Sequence, residues 1–258
     1  MVKNSKILEQ FISLKKSGKK GVALLIDPEK TNPHSGTQEL IKSASKYGID
    51  FFFVGGSLGD AFLVEETIRL IKLESRDIPL VLFPGNMMQV SENADGLLFL
   101  SLISGRNPDL LIGQHVLAAP SLSKSNLEIM PTGYMLVDGG GITSVQYISQ
   151  TVPLPHNKPE LAVATALAGK FLGLSLFYLD AGSGANYPVP AEMISAVNEA
   201  IEGPLIVGGG INTATKAKNA WEAGADVVVI GNGAEKNPDL ITGVLHYAKI
   251  FNASLNVN

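Results

Sequence analysis

Tyr178 and Asp180 lie in "YLDAGSGANYP", at the end of an apolar run, and alternate there with Phe177 and Leu179. In an extended strand that alternation sends Tyr178 and Asp180 to one face and the apolar pair to the other. A carboxylate on such a face, next to the glycine-rich turn Gly182, Ser183, Gly184, suits holding or deprotonating a ligand hydroxyl. The plainer alternative for Asp180 is a turn-forming role. Two later runs also enter glycine: "LIVGGG" ends at Gly208, Gly209 and Gly210, and "VVVIGNG" at Gly231, Asn232 and Gly233. Missing side chains let an anion reach backbone N–H groups, so both turns read as a phosphate cradle. The G-x-G-x-x-G spacing and a Walker lysine are both missing, which disfavours dinucleotide and P-loop chemistry. Ser183 also lacks the spacing of a nucleophile elbow.

A third candidate is "IDPEK", where Asp27 follows an apolar run directly and Pro28 interrupts further strand pairing. Asp27 fits either a turn cap or a Mg²⁺ ligand. Ser57, at the end of "FFFVGGS", offers a hydroxyl from the neighbouring run. One carboxylate and one hydroxyl suit a metal held mainly by a diphosphate. His34, His115, His156 and His246 show no metal-binding spacing and read as surface or core residues. Glu65 and Glu66 read as a solvated helix face, and Trp221 as packing or subunit contact.

The elements that must position these residues follow from the hydrophobic pattern. Eight apolar runs recur, at 21–27, 50–57, 79–85, 96–102, 133–140, 174–182, 204–210 and 226–233. Helical patterns separate most of them, which predicts one α/β domain, residues 1–258, with a parallel sheet. Eight parallel strands in 258 residues fit a (β/α)₈ TIM barrel. Sites in that fold gather at the C-terminal strand ends, where the candidates above all lie. The ten residues "NMMQVSENAD" are too few for a full crossover helix, so the connection after the third strand is expected to be short or irregular. The Leu-rich stretch 104–130 is expected to form a helix plus a loop lining an apolar groove, with Leu97 through Leu117 as its candidate lining. Residues 4–18 read as an amphipathic helix packed on the barrel, with Ile7, Leu8, Phe11, Ile12 and Leu14 as its stripe.

Composition narrows the function classes. A net charge of −4 without like-charge blocks gives no footprint for nucleic acid. With no cysteine there is no disulfide, thiolate metal site or Cys nucleophile, which fits a cytoplasmic protein. No apolar stretch approaches the roughly 20 residues that span a bilayer. The basic helix at the start leaves room for a transient membrane-surface contact.

Taken in order, "LLIDPEK", "FFFVGGS", "LVLFPGN", "YLDAGSGA", "LIVGGGI" and "VVVIGNG" resemble the geranylgeranylglyceryl phosphate synthase family, which includes the bacterial heptaprenylglyceryl phosphate synthases. The match runs from Gly21 to Gly233 and is specific as a set. "GYMLVDGGGITSVQYIS" looks like the family's segment after the fifth strand, and "SLISGRNP" looks more like the geranylgeranyl branch. The resemblance implies Mg²⁺-dependent ether formation between the 3-hydroxyl of sn-glycerol 1-phosphate and a prenyl diphosphate, with geranylgeranyl diphosphate as the expected donor. Carried over by position, Asp27 and Ser57 would hold the metal. Tyr178, Leu179, Asp180, Ala181, Gly182, Ser183, Gly184, Gly209, Gly210, Gly231 and Asn232 would hold glycerol 1-phosphate, with Tyr178 and Asp180 as the catalytic candidates. The family motif typically has Glu where this chain has Asp180, one methylene shorter. The heptaprenyl branch typically has Lys two residues before the metal aspartate, where this chain has Leu25. Family members are homo-oligomers, so a dimer or hexamer is expected. The rival readings are a phosphosugar isomerase-like barrel and a non-catalytic barrel that binds prenyl or phosphate ligands.

Overall fold

Eight parallel strands pair in sequence order, and the last closes on the first: β1 (Gly21–Ile26), β2 (Phe51–Val54), β3 (Leu80–Leu82), β4 (Gly96–Leu102), β5 (Glu128–Leu136), β6 (Leu176–Asp180), β7 (Leu205–Gly208) and β8 (Val227–Ile230). The structure is a computed structural model and describes residues 6–31, 36–58 and 60–255; His34 lies outside them. The helices are α1 (Lys6–Ser17), α2 (Thr37–Tyr47), α3 (Ala61–Glu74), α4 (Gln114–Leu122), α5 (Ser144–Ser149), α6 (Pro159–Phe171), α7 (Ala191–Ala200), α8 (Ala214–Glu222), α9 (Asn232–Lys236) and α10 (Asp239–Ser254). This is the expected (β/α)₈ barrel. A single 3-10 turn, Met87–Gln89, replaces the helix between β3 and β4, as the short spacing requires.

Local chemistry sets several helix starts. Asp60 accepts the Phe62 N–H at 2.6 Å ahead of α3, and Thr213 accepts the Lys216 N–H at 3.2 Å ahead of α8. Alternation along each strand then sorts side chains into two cores. Phe52, Val54, Phe177, Leu179, Leu205 and Val207 face the helices, joined there by Trp221 of α8. Phe51, Phe53, Val81, Leu98, Met130, Leu176, Ile206 and Val229 fill the barrel.

α1 closes the end of the barrel opposite the strand C-termini. Phe11 stacks on Phe51 with ring centres 4.3 Å apart, and Ile7 joins the same inner core. Glu128, at the start of β5, accepts the N–H groups of Ile7 at 2.9 Å and Leu8 at 2.7 Å, supplying the partners that the first turn of a helix lacks. Burying Phe11 completely contributes on the order of 2–3 kcal/mol. Ile7 and Phe11 of the apolar stripe are thus committed to the core, with Leu8 and Leu14 packed against it. Among the described residues no helix is long and apolar enough to cross a membrane.

β5 departs from the pattern. It starts at Glu128, five residues before the expected run, and pairs with all of β4 through the register Gly96 to Glu128 and Leu102 to Tyr134. Pro131 lies inside it and has no N–H to advertise a strand. Its carbonyl is nonetheless used, accepting the Ser175 N–H at 2.9 Å. The strand ends at Leu136, so Asp138, Gly139 and Gly140 belong to the following loop.

Candidate functional site

The loops at the C-terminal strand ends enclose a cavity of 1060 Å³, lined at one end by Asp27, Ser57, Asp180, Gly210 and Asn232 and at the other by Leu and Phe side chains of β4. Its polar end is built first from β6. Tyr178 and Asp180 point inward, as their alternation with Phe177 and Leu179 predicts, and both are buried. Asp180 Oδ2 accepts a 2.7 Å hydrogen bond from the Tyr134 hydroxyl, and Oδ1 accepts one of 2.7 Å from the Gly182 N–H. Burial raises the Asp180 carboxyl above the ordinary aspartate range, and these two hydrogen bonds only partly offset that. The Tyr134 phenol is held well above its usual range, first by burial and then by the negative charge of Asp180. Burial and the same charge do likewise to Tyr178. Phe83 completes the wall, with its ring centre 5.2 Å from that of Tyr178 and 5.8 Å from that of Tyr134.

The glycines after β7 have an intramolecular explanation in addition to the anion cradle expected from the sequence. A Cβ on Gly208 would collide with the Tyr178 hydroxyl. Gly209 and Gly210 have φ values of 78° and 68°, which L side chains rarely adopt. A Cβ on Gly209 would also lie 2.6 Å from Asp180 Oδ1, Ala181 N and Gly182 N. The tip of β6 therefore packs directly on the backbone after β7. Gly231 differs, because the nearest atom to its added Cβ is 3.6 Å away.

Of the other residues expected to bind substrate, Ser183, Gly184, Gly210, Gly231 and Asn232 line the cavity together. Among the described residues, the N–H groups of Gly184, Gly210 and Gly231 donate to no acceptor within the chain. Asn232 opens α9, and its Nδ2 donates to Ser183 Oγ at 2.7 Å, tying the β6 loop to the β8 loop. Leu179 and Ala181 face the helix layer, so their side chains are turned from the cavity. Gly182 spends its N–H on Asp180.

Asp27 and Ser57, which follow β1 and β2, line the same polar end. The turn-cap reading of Asp27 is met in its geometry. It caps the turn Pro28–Lys30 by accepting the Glu29 N–H at 3.2 Å, and its Oδ2 lies 3.0 Å from Lys30 Nζ. Its carboxylate also rests against Gly56, where a Cβ would approach Oδ1 to 2.8 Å, so it is held beside the residue that precedes Ser57. Among the described residues no three His, Cys, Asp or Glu side chains gather to hold a metal. A hard-oxygen pair of one carboxylate and one hydroxyl fits Mg²⁺ whose remaining ligands are water and phosphate oxygen.

The apolar end follows β4 into a π-helical turn, Asp109–Gly113, and then α4. Leu98, Phe99, Leu100, Leu110, Ala118 and Leu122 line it. This corrects the expected lining, because Val116 and Leu117 are exposed on the outer face of α4 and the wall continues to Leu122 instead. His115 also belongs to the wall. It is buried edge-on to Phe99, 4.5 Å between ring centres, and its Nδ1 has no hydrogen-bond partner. His156 lies 3.4 Å from the Asp138 carbonyl, and His246 is exposed. Trp221 is core packing.

Three residues of the polar end went unnoticed in the sequence. Tyr134 had a usable signal, because it sits two residues before Leu136 and so shares its inward face. Phe83 and Lys30 had none, since both lie just past strand ends where the period of two stops.

A family model, the PcrB family, matches residues 16–248. A geranylgeranylglyceryl phosphate synthase of Spirosoma linguale is 53% identical over 241 residues, covering 93% of this chain and 96% of that protein. Another, from Korarchaeum cryptofilum, is 40% identical and covers 90% of this chain and 94% of its own. The crystal structure of (S)-3-O-geranylgeranylglyceryl phosphate synthase from Thermoplasma acidophilum, in complex with its substrate sn-glycerol-1-phosphate, superposes with a TM-score of 0.88. It is 31% identical, over 94% of this chain and 98% of that one.

Proposed function

The chain belongs to the PcrB family, and from that premise we propose that it is a prenyltransferase of the geranylgeranylglyceryl phosphate synthase type. It joins the 3-hydroxyl of sn-glycerol 1-phosphate to C1 of a prenyl diphosphate, releasing diphosphate. The observation that carries this reading is a buried carboxylate, Asp180, between a glycine-rich anion pocket and an apolar channel in one continuous cavity. An acceptor with one phosphate and one reactive hydroxyl fits the first half, and a long hydrocarbon fits the second.

The free N–H groups at Gly184, Gly210 and Gly231, together with Asn232, would take the acceptor phosphate. Fixing that phosphate presents the hydroxyl to Asp180. The new bond forms from the hydroxyl oxygen to C1 of the donor, the C1–O bond to diphosphate breaks, and the proton passes to the Asp180 carboxylate. Burial suits Asp180 to that step, because it raises the affinity of the carboxylate for a proton. Tyr134 holds the carboxylate in place, and the rings of Phe83, Tyr134 and Tyr178 keep water from the allylic carbon. Asp27 and Ser57 would hold Mg²⁺, which would supply positive charge to the departing diphosphate. Leu98, Leu100, Leu110 and Leu122 would receive the tail. The experiment is an incubation of the protein with labelled sn-glycerol 1-phosphate, geranylgeranyl diphosphate and Mg²⁺. A lipid-extractable ether that disappears on chelation is expected. Saturable glycerol phosphate binding with no product from any prenyl diphosphate would favour the non-catalytic binding barrel.

A further inference from the structure

Lys30 stands where the two halves of the polar pocket meet. Its ammonium lies 3.0 Å from Asp27 Oδ2 and donates a 2.5 Å hydrogen bond to Asn232 Oδ1, with Glu235 Oε2 at 3.9 Å. Asp27 follows β1, and Asn232 follows β8. Those strands are neighbours at the closure of the barrel, so one long side chain spans from one loop to the other. Asn232 in turn donates to Ser183, which extends the chain of contacts to the β6 loop. Lys30 lines the cavity itself.

We propose that Lys30 is a further substrate-binding residue, shared between Asp27 and Asn232, that couples occupancy of the cation side to affinity on the acceptor-phosphate side. This rests on the assignment of Asp27 to the cation and Asn232 to the acceptor given above. A divalent cation on Asp27 competes with the ammonium for the same carboxylate and repels it. An ammonium released there keeps Asn232 and Glu235 as its other partners, which carries its charge toward the anion pocket. Cation and diphosphate bound on one side therefore tighten acceptor binding on the other, and by linkage the acceptor tightens theirs.

The test uses the whole chain, with sn-glycerol 1-phosphate affinity read by calorimetry, without and with saturating Mn²⁺ and inorganic diphosphate. Mn²⁺ affinity is read separately, in the absence of other ligands, by electron paramagnetic resonance. For the unaltered protein, acceptor affinity should rise about fivefold when Mn²⁺ and diphosphate are present. Lys30→Gln should abolish that gain and weaken acceptor binding, yet bind Mn²⁺ at least as tightly as before, because the competing ammonium is gone. Lys30→Arg should restore part of the gain, since it keeps the charge. Opposite effects on the two ligands separate this role from a structural one, which would weaken both. Equal weakening of both ligands by Lys30→Gln, or an undiminished gain, would overturn the inference while leaving the site assignment standing. An unaltered protein that binds no glycerol phosphate would overturn the site assignment itself, and the inference with it.

Discussion

The Tyr134 hydroxyl and Asp180 Oδ2 are joined by a 2.7 Å hydrogen bond at the buried mouth of the barrel, across the pairing of β5 with β6. The bond favours the ionised carboxylate and opposes the stronger effect of burial. In the proposed reaction Tyr134 would therefore act through Asp180, as a positioning residue. In Tyr134→Phe the Asp180 carboxyl should move to still higher pKa, and the acidic limb of the kcat/KM profile should shift to higher pH. Turnover at neutral pH should fall on the order of tenfold, with acceptor affinity little changed. A limb that does not move would leave Tyr134 as packing only.

Gly209 connects fold and site in a different way. With positive φ and a Cβ that would lie 2.6 Å from Asp180 Oδ1, Gly209→Ala must displace the tip of β6 or the loop after β7. A stability loss of about 1–3 kcal/mol is expected in urea unfolding, along with weaker glycerol phosphate binding. Unchanged stability would mean that this loop yields freely, and that its glycine answers to the ligand alone.

Asp50 supplies a test far from the chemistry. It accepts the Val22 N–H at 2.8 Å, and burial pushes its carboxyl up to about 6. The folded chain thus binds this proton more tightly than the unfolded chain, whose aspartate titrates near 3.9. Its stabilising contribution is complete below about pH 4 and is lost as pH rises through about 6. Asp50→Asn keeps an acceptor for Val22 but does not titrate. Its stability relative to the unaltered protein should therefore improve by about 1–3 kcal/mol between pH 4 and pH 7 in denaturant unfolding. A difference that stays constant with pH would contradict the burial of this charge.

The barrel was legible because each strand is short, apolar and bounded by Gly, Pro, Asp or Ser, a pattern that survives in "GVALLID" and "DVVVIGNG" without any tertiary information. β5 was displaced because Pro131 hides a strand whose pairing is set by β4. Tyr178 and Asp180 were legible because period-two alternation fixes which way they point. Gly209 was legible as a place of close approach, but what approaches it is the carboxylate of the preceding strand, a partner that depends on the barrel register. Lys30 was invisible for a related reason, since its partner Asn232 is 202 residues away and meets it only when β8 closes on β1.

The central claim is that Asp180 takes the proton of the acceptor hydroxyl as the ether bond forms. It is tested most directly by single-turnover ether formation in Asp180→Asn, with sn-glycerol 1-phosphate, geranylgeranyl diphosphate and Mg²⁺ all saturating, beside the acceptor Kd of the same variant. The predicted result is a rate lowered on the order of 100-fold or more, with a Kd within a few fold of the unaltered value. An unchanged rate, or a rate loss matched by an equal loss of acceptor affinity, would contradict it.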